Sequence, residues 1–134
     1  LTHTHRDHVG GFEKLVAVAQ SSQAFGPAEE PLTGVSSIQP DSKMQLCGFD
    51  IYAVKTNGHS EGGLSYIVHG LNRPIALVGD ALFSLSMGGA KYDYQLALKN
   101  NREQLLSLPS NTILCPGHGP MTSVAEECAY NPFF

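Results

Sequence analysis

The residues best suited to chemistry in this 134-residue chain are its histidines and two of its aspartates. Three histidines and one aspartate fall within the run His3–His8, and the other candidates each follow a predicted strand. Neutral imidazole and carboxylate are the usual protein ligands of zinc and of borderline divalent metals. The pattern therefore predicts a metal site built from His3, His5, Asp7, His8, His59, Asp80 and His118.

The spacing of these residues also allows more than one cation. Histidines two positions apart can both turn to one metal once the backbone bends, and Asp7 and His8 then face a neighbouring position. A carboxylate such as Asp80 can bridge two cations through its two oxygens, which an imidazole cannot do. An isolated histidine is more often a surface or core residue. That interpretation applies to His69, which has no assigned role.

The elements that must position these side chains alternate between strands and helices, which predicts an α/β (α+β) layered domain over residues 1–134. Each candidate ligand after the first run lies where a strand gives way to a loop, so the strand ends can converge on one edge of a sheet. The stretch Ser21–Asp41 contains three prolines and is expected to be a loop. Strands are predicted at 44–47, 50–55, 64–68, 74–78 and 112–115, and helices at 9–20, 94–108 and from 122, where Ser123 and Glu126 fit a capping box.

The composition argues against a disordered, membrane-spanning or nucleic-acid-binding protein. Apolar residues make up 42% and charged residues 15%, which is too apolar for a disordered chain, and no aliphatic run is long enough to span a membrane. The net charge is −4 and no stretch concentrates Lys or Arg, so no nucleic-acid partner is expected. The three cysteines form no CxxC pair, which favours a reducing compartment and a cytoplasmic location.

The order of the candidate ligands resembles the metallo-β-lactamase-fold hydrolase superfamily. The C-terminal stretches 116–120 and 131–133 are most similar to small hydroxyacylglutathione hydrolase-like (glyoxalase II-like) proteins. The resemblance implies an αββα sandwich that is N-terminally truncated in this chain, because only Leu1 and Thr2 precede the first histidine. One sheet is then expected to have an open edge and uncovered apolar surface.

The resemblance also implies roles for the ligands. It assigns two divalent metal ions, with zinc expected and iron or manganese as alternatives. Within this resemblance, His8 argues against a β-lactamase subclass that has no histidine at the position of His8. His5 argues against flavo-diiron oxygen reductases, which carry Glu at the position of His5. It assigns His3, His5 and His59 to the first metal, Asp7, His8 and His118 to the second, and Asp80 to a bridging position.

The function expected on this basis is hydrolysis of a small-molecule thioester or ester. A hydroxide activated by the two metals would attack the carbonyl carbon, and Asp7 would be the catalytic residue that orients the nucleophile and takes a proton. Three alternatives remain open at this point: a mononuclear iron persulfide dioxygenase-like enzyme, a phosphodiesterase or nuclease, and an inactive truncated fragment that keeps the metal-binding residues. The sequence leaves the oligomeric state undetermined.

Overall fold

The computed structural model describes residues 1–19 and 22–134 and contains a central sheet with helices on one face. Six strands are hydrogen-bonded in the order β3-β4-β5-β6-β7-β8, and two short parallel strands, β1 and β2, form a separate sheet. Within the described residues, no helix has the length and apolar character needed to cross a membrane. The strands are β1 (Phe25–Pro27), β2 (Ser36–Ile38), β3 (Lys43–Leu46), β4 (Phe49–Lys55), β5 (Leu64–His69), β6 (Ile75–Gly79), β7 (Ile113–Pro116) and β8 (Thr122–Ser123). The helices are α1 (Arg6–Val9), α2 (Phe12–Val18), α3 (Tyr94–Asn100), which continues as a π-helical segment (Asn101–Leu105), and α4 (Val124–Tyr130).

The central sheet is mixed, with one parallel strand pair among antiparallel pairs. Strands β3 to β6 pair antiparallel as a meander, whereas β7 pairs parallel to β6 after the chain crosses over through α3. Strands β4, β6 and β7 consequently run in the same direction, and their carboxyl ends lie at one edge of the sheet. Each of these three ends leads into a loop that carries a candidate ligand.

The main core lies between the sheet and the helical layer. Side chains alternate along β5, so Ile67 faces α3 and α4 while Tyr66 faces β1 and β2. The helical side buries Val78, Leu105 and Leu114 almost completely. A second cluster joins Ile38 of β2 to the opposite face of the sheet.

That opposite face is only partly covered, in agreement with the expected uncovered apolar surface. An open apolar groove of about 170 Å³ lies between the sheet and the β1–β2 pair, and Leu77 in its lining is 44% exposed. The groove is lined by Leu1, Phe25, Ile38, Met44, Leu46, Ile51, Tyr66, Val68 and Leu77.

The strand predictions agree with the structure to within one residue, but the loop prediction and two of the helix predictions were wrong. The helix expected over residues 94–108 is α-helical only to Asn100 and ends at Leu105 as a π-helical segment. The stretch expected to be a loop contains β1 and β2, although Ser21 lies outside the described residues. The helix expected over residues 9–20 is two short helices separated by Gly10 and Gly11, and Gln20 also lies outside the described residues. Helix α2 buries none of its residues, so its apolar side chains do not form the expected core face.

Candidate metal centre

The predicted ligands meet at the sheet edge where β4, β6 and β7 end. His59 lies in the loop after β4, Asp80 follows β6 directly, and His118 lies in the loop after β7. The chain's first residues cross the same edge, with the Thr2 carbonyl accepting a hydrogen bond from the Leu64 N–H at 2.9 Å. All seven candidate ligands from sequence analysis are therefore brought to one place.

Three histidines form the first ligand set. His5 Nδ1 lies 2.9 Å from His59 Nε2, and the His3 ring lies edge-on to both rings, at centroid distances of 4.7 and 5.1 Å. One ligand atom from each histidine falls within 4.8 Å of the other two. His3 is the buried member, with 2% of its surface exposed.

The second ligand set is more open to solvent. Asp7 Oδ2 lies 3.0 Å from His118 Nε2 and 3.6 Å from His8 Nε2. Asp7 and His118 are exposed, whereas His8 is half-buried. Two of its three members are thus exposed, against one, His5, in the first set.

Asp80 lies between the two ligand sets and contacts both. Its Oδ1 is 3.2 Å from His8 Nε2, and its Oδ2 is 3.6 Å from His59 Nε2 and also from His118 Nε2. The carboxylate is buried, and its Oδ2 lies equally far from one histidine of each set. This is the position that a bridging carboxylate requires.

Unpartnered buried atoms show that these residues fit a metal. Among the described residues, His3 Nε2, His8 Nε2 and Asp80 Oδ1 are buried without a hydrogen-bond partner. Buried polar atoms normally have a partner, because leaving one unpaired costs about 1–3 kcal/mol. Nitrogen lone pairs and a carboxylate oxygen that share one cavity are the donor set of a divalent cation such as zinc, iron or manganese.

The electrostatics keep two of the histidines in the form that binds metal. Burial, together with the nearby His8 ring, lowers the pKa of His3 to about 4, and burial also lowers the pKa of His59. The His59 Nδ1 lies 2.9 Å from the Gly89 carbonyl, which can only accept, so Nδ1 carries the proton and Nε2 offers its lone pair. Both rings are neutral near pH 7 and need not lose a proton to become ligands.

Asp7 is held in its ionised form. A hydrogen bond from its own backbone N–H lowers the pKa of Asp7, and the His8 and His118 rings act in the same direction. The exposed carboxylate is therefore available both as a ligand and as an acceptor for a water molecule.

Two glycines allow the backbone to pass close to the ligands. A Cβ at Gly117 would collide with the Asp80 carboxylate and would lie 2.6 Å from the His8 ring. A Cβ at Gly88 would collide with the Asp80 carbonyl oxygen and would lie 3.0 Å from His59 Nδ1. Any larger residue at either position would displace Asp80.

A buried carboxylate that sequence analysis did not single out fixes the loop after Asp80. The two oxygens of Glu127, which is fully buried, accept hydrogen bonds from the Leu85 N–H at 3.0 and 3.2 Å. The Thr122 hydroxyl and the Asn131 amide also donate to Glu127, each at 2.6 Å. A glutamate one turn before Asn-Pro in an otherwise short helix was the only sequence signal for this role.

His69 lies apart from the centre. It is at the end of β5, half-buried, and its ring packs edge-on against Tyr52 at a centroid distance of 5.2 Å. The structure therefore agrees with leaving this histidine without a role in metal binding.

Similar sequences point to hydrolases. No protein-family model matches the chain. The chain is similar to a probable metallo-hydrolase of Streptococcus pyogenes serotype M6, with 28% identity over all of this chain and 68% of that protein. It is also similar to hydroxyacylglutathione hydrolase of Klebsiella pneumoniae, with 34% identity over 88% of this chain and 46% of that enzyme. The chain thus spans about half to two thirds of the length of these curated relatives.

Similar structures have the same fold. The crystal structure of the B3 metallo-β-lactamase BLEG-1 matches 99% of this chain and 74% of its own, with 26% identity and a TM-score of 0.82. The crystal structure of TTHA1623 in a di-iron-bound form matches all of this chain and 75% of its own, with 28% identity and a TM-score of 0.77. The order of the ligands, their convergence at one sheet edge and these similarities lead to one conclusion: the chain has the metallo-β-lactamase fold and is similar in sequence to metallo-hydrolases.

Proposed function

We propose that this chain carries the catalytic centre of a metal-dependent hydrolase that cleaves a small-molecule thioester or ester. The observation that carries the proposal is the contact of one buried carboxylate, Asp80, with two separate ligand sets. In this proposal the first cation is held by His3, His5 and His59, the second by Asp7, His8 and His118, and both by Asp80.

The cations supply the chemistry that the side chains lack. Bound in this position, two divalent ions would lower the pKa of a water molecule to about 7 and polarise a carbonyl oxygen. Zinc suits a site of five imidazoles and two carboxylates, and the di-iron form of the similar TTHA1623 structure supports iron as the alternative.

The side chains orient the reactants. Asp7, exposed and ionised beside His118, accepts a hydrogen bond from the attacking water and takes its proton. The water oxygen forms a bond to the carbonyl carbon, and the carbon–sulfur bond then breaks with its electron pair leaving on sulfur. A thiolate is a good leaving group, so no strong general acid is required, and the proton passes from Asp7 to solvent or product.

The proposed substrate class rests on similarity as well as on the site. The similar protein of Klebsiella pneumoniae is a hydroxyacylglutathione hydrolase, and such a substrate is a thioester. The second ligand set has two solvent-exposed members, Asp7 and His118, which supports approach of the acyl group from that side.

The test combines metal analysis with hydrolysis assays. The purified chain should contain close to two divalent metal ions, and it should cleave a 2-hydroxyacyl glutathione thioester in a reaction that chelator abolishes and added zinc restores. Asp7→Asn should lose at least about 100-fold in rate, as expected for a general base. His69→Gln, the matched histidine outside the centre, should retain full activity.

Other results would reject the proposal. A folded chain that binds no metal would exclude the metal centre. Iron-dependent oxygen consumption without thioester cleavage would favour the dioxygenase-like alternative, and metal binding with neither activity would identify an inactive metal-binding fragment.

A further inference from the structure

Glu30, in the turn that follows β1, joins two separate segments at the metal centre. Its Oε2 accepts hydrogen bonds from the Thr4 N–H at 2.7 Å and from the Thr4 hydroxyl at 2.8 Å. Its Oε1 accepts a hydrogen bond from the Gly62 N–H at 2.8 Å. One carboxylate thus binds donors that lie 58 positions apart in the sequence (62 minus 4).

The two residues that Glu30 binds lie beside members of the first ligand set, whereas Asp7 and His8 of the second set lie in the following helix α1. Thr4 lies between His3 and His5, and Gly62 lies in the same loop as His59. These three histidines form the first ligand set. Among the described residues, no hydrogen bond joins Glu30 to the segment around His118.

The chemistry of the contact requires a carboxylate. Three donors converge on the two oxygens, and an ionised carboxylate offers acceptors on both sides. An amide would offer one acceptor and one donor, so either the Thr4 side or the Gly62 side would face another donor. Burial raises the pKa of Glu30, but the nearby Ser60 hydroxyl and the hydrogen bonds from Gly62 and Thr4 outweigh it and hold this pKa below its usual value.

The packing around Glu30 is close. A Cβ at Gly62 would lie 3.0 Å from the Glu30 Cγ, so the turn after β1 rests directly on the His59 loop. The adjacent Glu29 is different, because it is exposed and forms a surface ion pair with Lys55 at 2.9 Å. Neighbouring glutamates of one turn therefore have separate roles.

We infer that Glu30 is a positioning residue that holds the His3–His5 segment and the His59 loop in register, so that the first ligand set is formed before a cation arrives. This inference rests on the proposed function, because it assigns that set to a metal. Within the part of the chain that the structure describes, Glu30 makes no hydrogen bond to a side chain of the seven candidate ligands, and it acts through Thr4 and the backbone of Gly62.

Metal titration with a matched pair of variants tests the inference. In the full chain stripped of metal, Glu30→Gln should weaken binding of one zinc equivalent by about 10- to 100-fold and leave the other unchanged, the range typical of groups that orient metal ligands. Glu29→Gln should bind both equivalents as the wild type does. Glu30→Asp keeps both acceptors and should give an intermediate affinity. Equal weakening of both equivalents, or no weakening, would overturn the inference.

A second measurement needs no metal. In the metal-free protein, amide hydrogen exchange should show that Glu30→Gln loses protection at Thr4 and Gly62, whereas amides of β6 and β7 keep theirs. Unchanged exchange at both amides would refute the positioning role even if the wild type proved to bind no metal. If the wild type neither bound zinc nor cleaved a thioester, but Glu30→Gln lost amide protection as expected, only the proposed function would be rejected.

Discussion

At the scale of single residues, the centre is defined by how closely neutral imidazoles and carboxylates are packed. His3 is buried among other rings, and Asp80 is buried between the two ligand sets. This packing leaves the lone pairs of buried nitrogen and carboxylate oxygen atoms without a hydrogen-bond donor, and a cation or a proton could bind them. Small changes beside these groups are therefore expected to act on metal binding before they act on the fold.

A pair of adjacent glycines provides a direct test of this packing. Gly88→Ala would place a methyl group against the Asp80 carbonyl and His59, so we expect metal affinity to fall about tenfold or more. Gly89→Ala meets no atom within 4 Å and should change affinity by less than about twofold. Zinc titration of both variants checks this prediction, and similar affinities for the two would contradict it.

The lowered pKa of His3 predicts a pH dependence of the metal-free protein. The folded chain binds this proton only near pH 4, whereas the unfolded chain binds it near pH 6.5. The unfolded state therefore binds more protons between these values, and the free energy of unfolding should fall as the pH is lowered from about 6.5 to 4, by up to about 3 kcal/mol. Urea unfolding with excess chelator measures the slope, and His3→Gln should flatten it. A slope of the opposite sign would contradict the buried, neutral ring.

At the scale of elements, short loops after strand ends place His59, Asp80 and His118, and buried polar side chains hold the loop after Asp80. The Asn101 amide, in the π-helical segment, donates to the Ala81 carbonyl at 2.8 Å, directly after Asp80. Glu127 holds the Leu85 N–H, although Leu85 has a positive φ of 56° that a residue with a side chain rarely adopts. The helical layer thus fixes the loop that borders the centre.

Removing the Glu127 carboxylate should therefore destabilise the chain. Glu127→Ala would leave the Leu85 N–H and the Asn131 amide without their acceptor, and we expect the free energy of unfolding to fall by about 3 kcal/mol. The control is Glu126→Gln, an exposed neighbour on the same helix, which should change stability by less than about 0.5 kcal/mol. Denaturant unfolding compares the two, and equal midpoints would argue against this role.

The elements that the sequence alone predicts are those whose formation depends on residues close together in the sequence. The Cys47-Gly48 turn, where both residues have positive φ, joins β3 and β4 as the hairpin pattern predicts. Strands β1 and β2 were missed because each has only three residues and β1 contains Gly26 and Pro27. Their pairing depends on contacts with distant parts of the chain, which no local pattern records.

The contrast between local patterns and distant contacts also explains which residues of the candidate site could be predicted from the sequence. The ligands could be predicted because His and Asp have few uses in such clusters. Glu30 could not, because a glutamate in a proline-containing stretch is normally a solvated charge, and only the folded chain brings it to Thr4 and Gly62. The π-helical segment was also missed, since its apolar spacing continues that of α3.

At the scale of the whole molecule, metal and fold are expected to be linked. A cation that binds the folded chain at about 1,000 times its dissociation constant raises the free energy of unfolding by about 4 kcal/mol. We therefore expect chelator to lower the melting temperature of the wild type. Asp80→Asn, which alters the carboxylate shared by both ligand sets, should melt low with or without chelator. If chelator left the melting temperature of the wild type unchanged, the expected link between metal binding and stability would be contradicted.

The positions of the ligands along the chain have a consequence for biosynthesis. Asp7 and His118, which meet at 3.0 Å, are separated by 111 positions. At translation rates of 5–20 residues per second, the His3–His8 run leaves the ribosome roughly 6–20 s before His118 does. In the proposed centre, the three histidines of the first ligand set are all present once His59 has emerged, whereas the second set is complete only after His118.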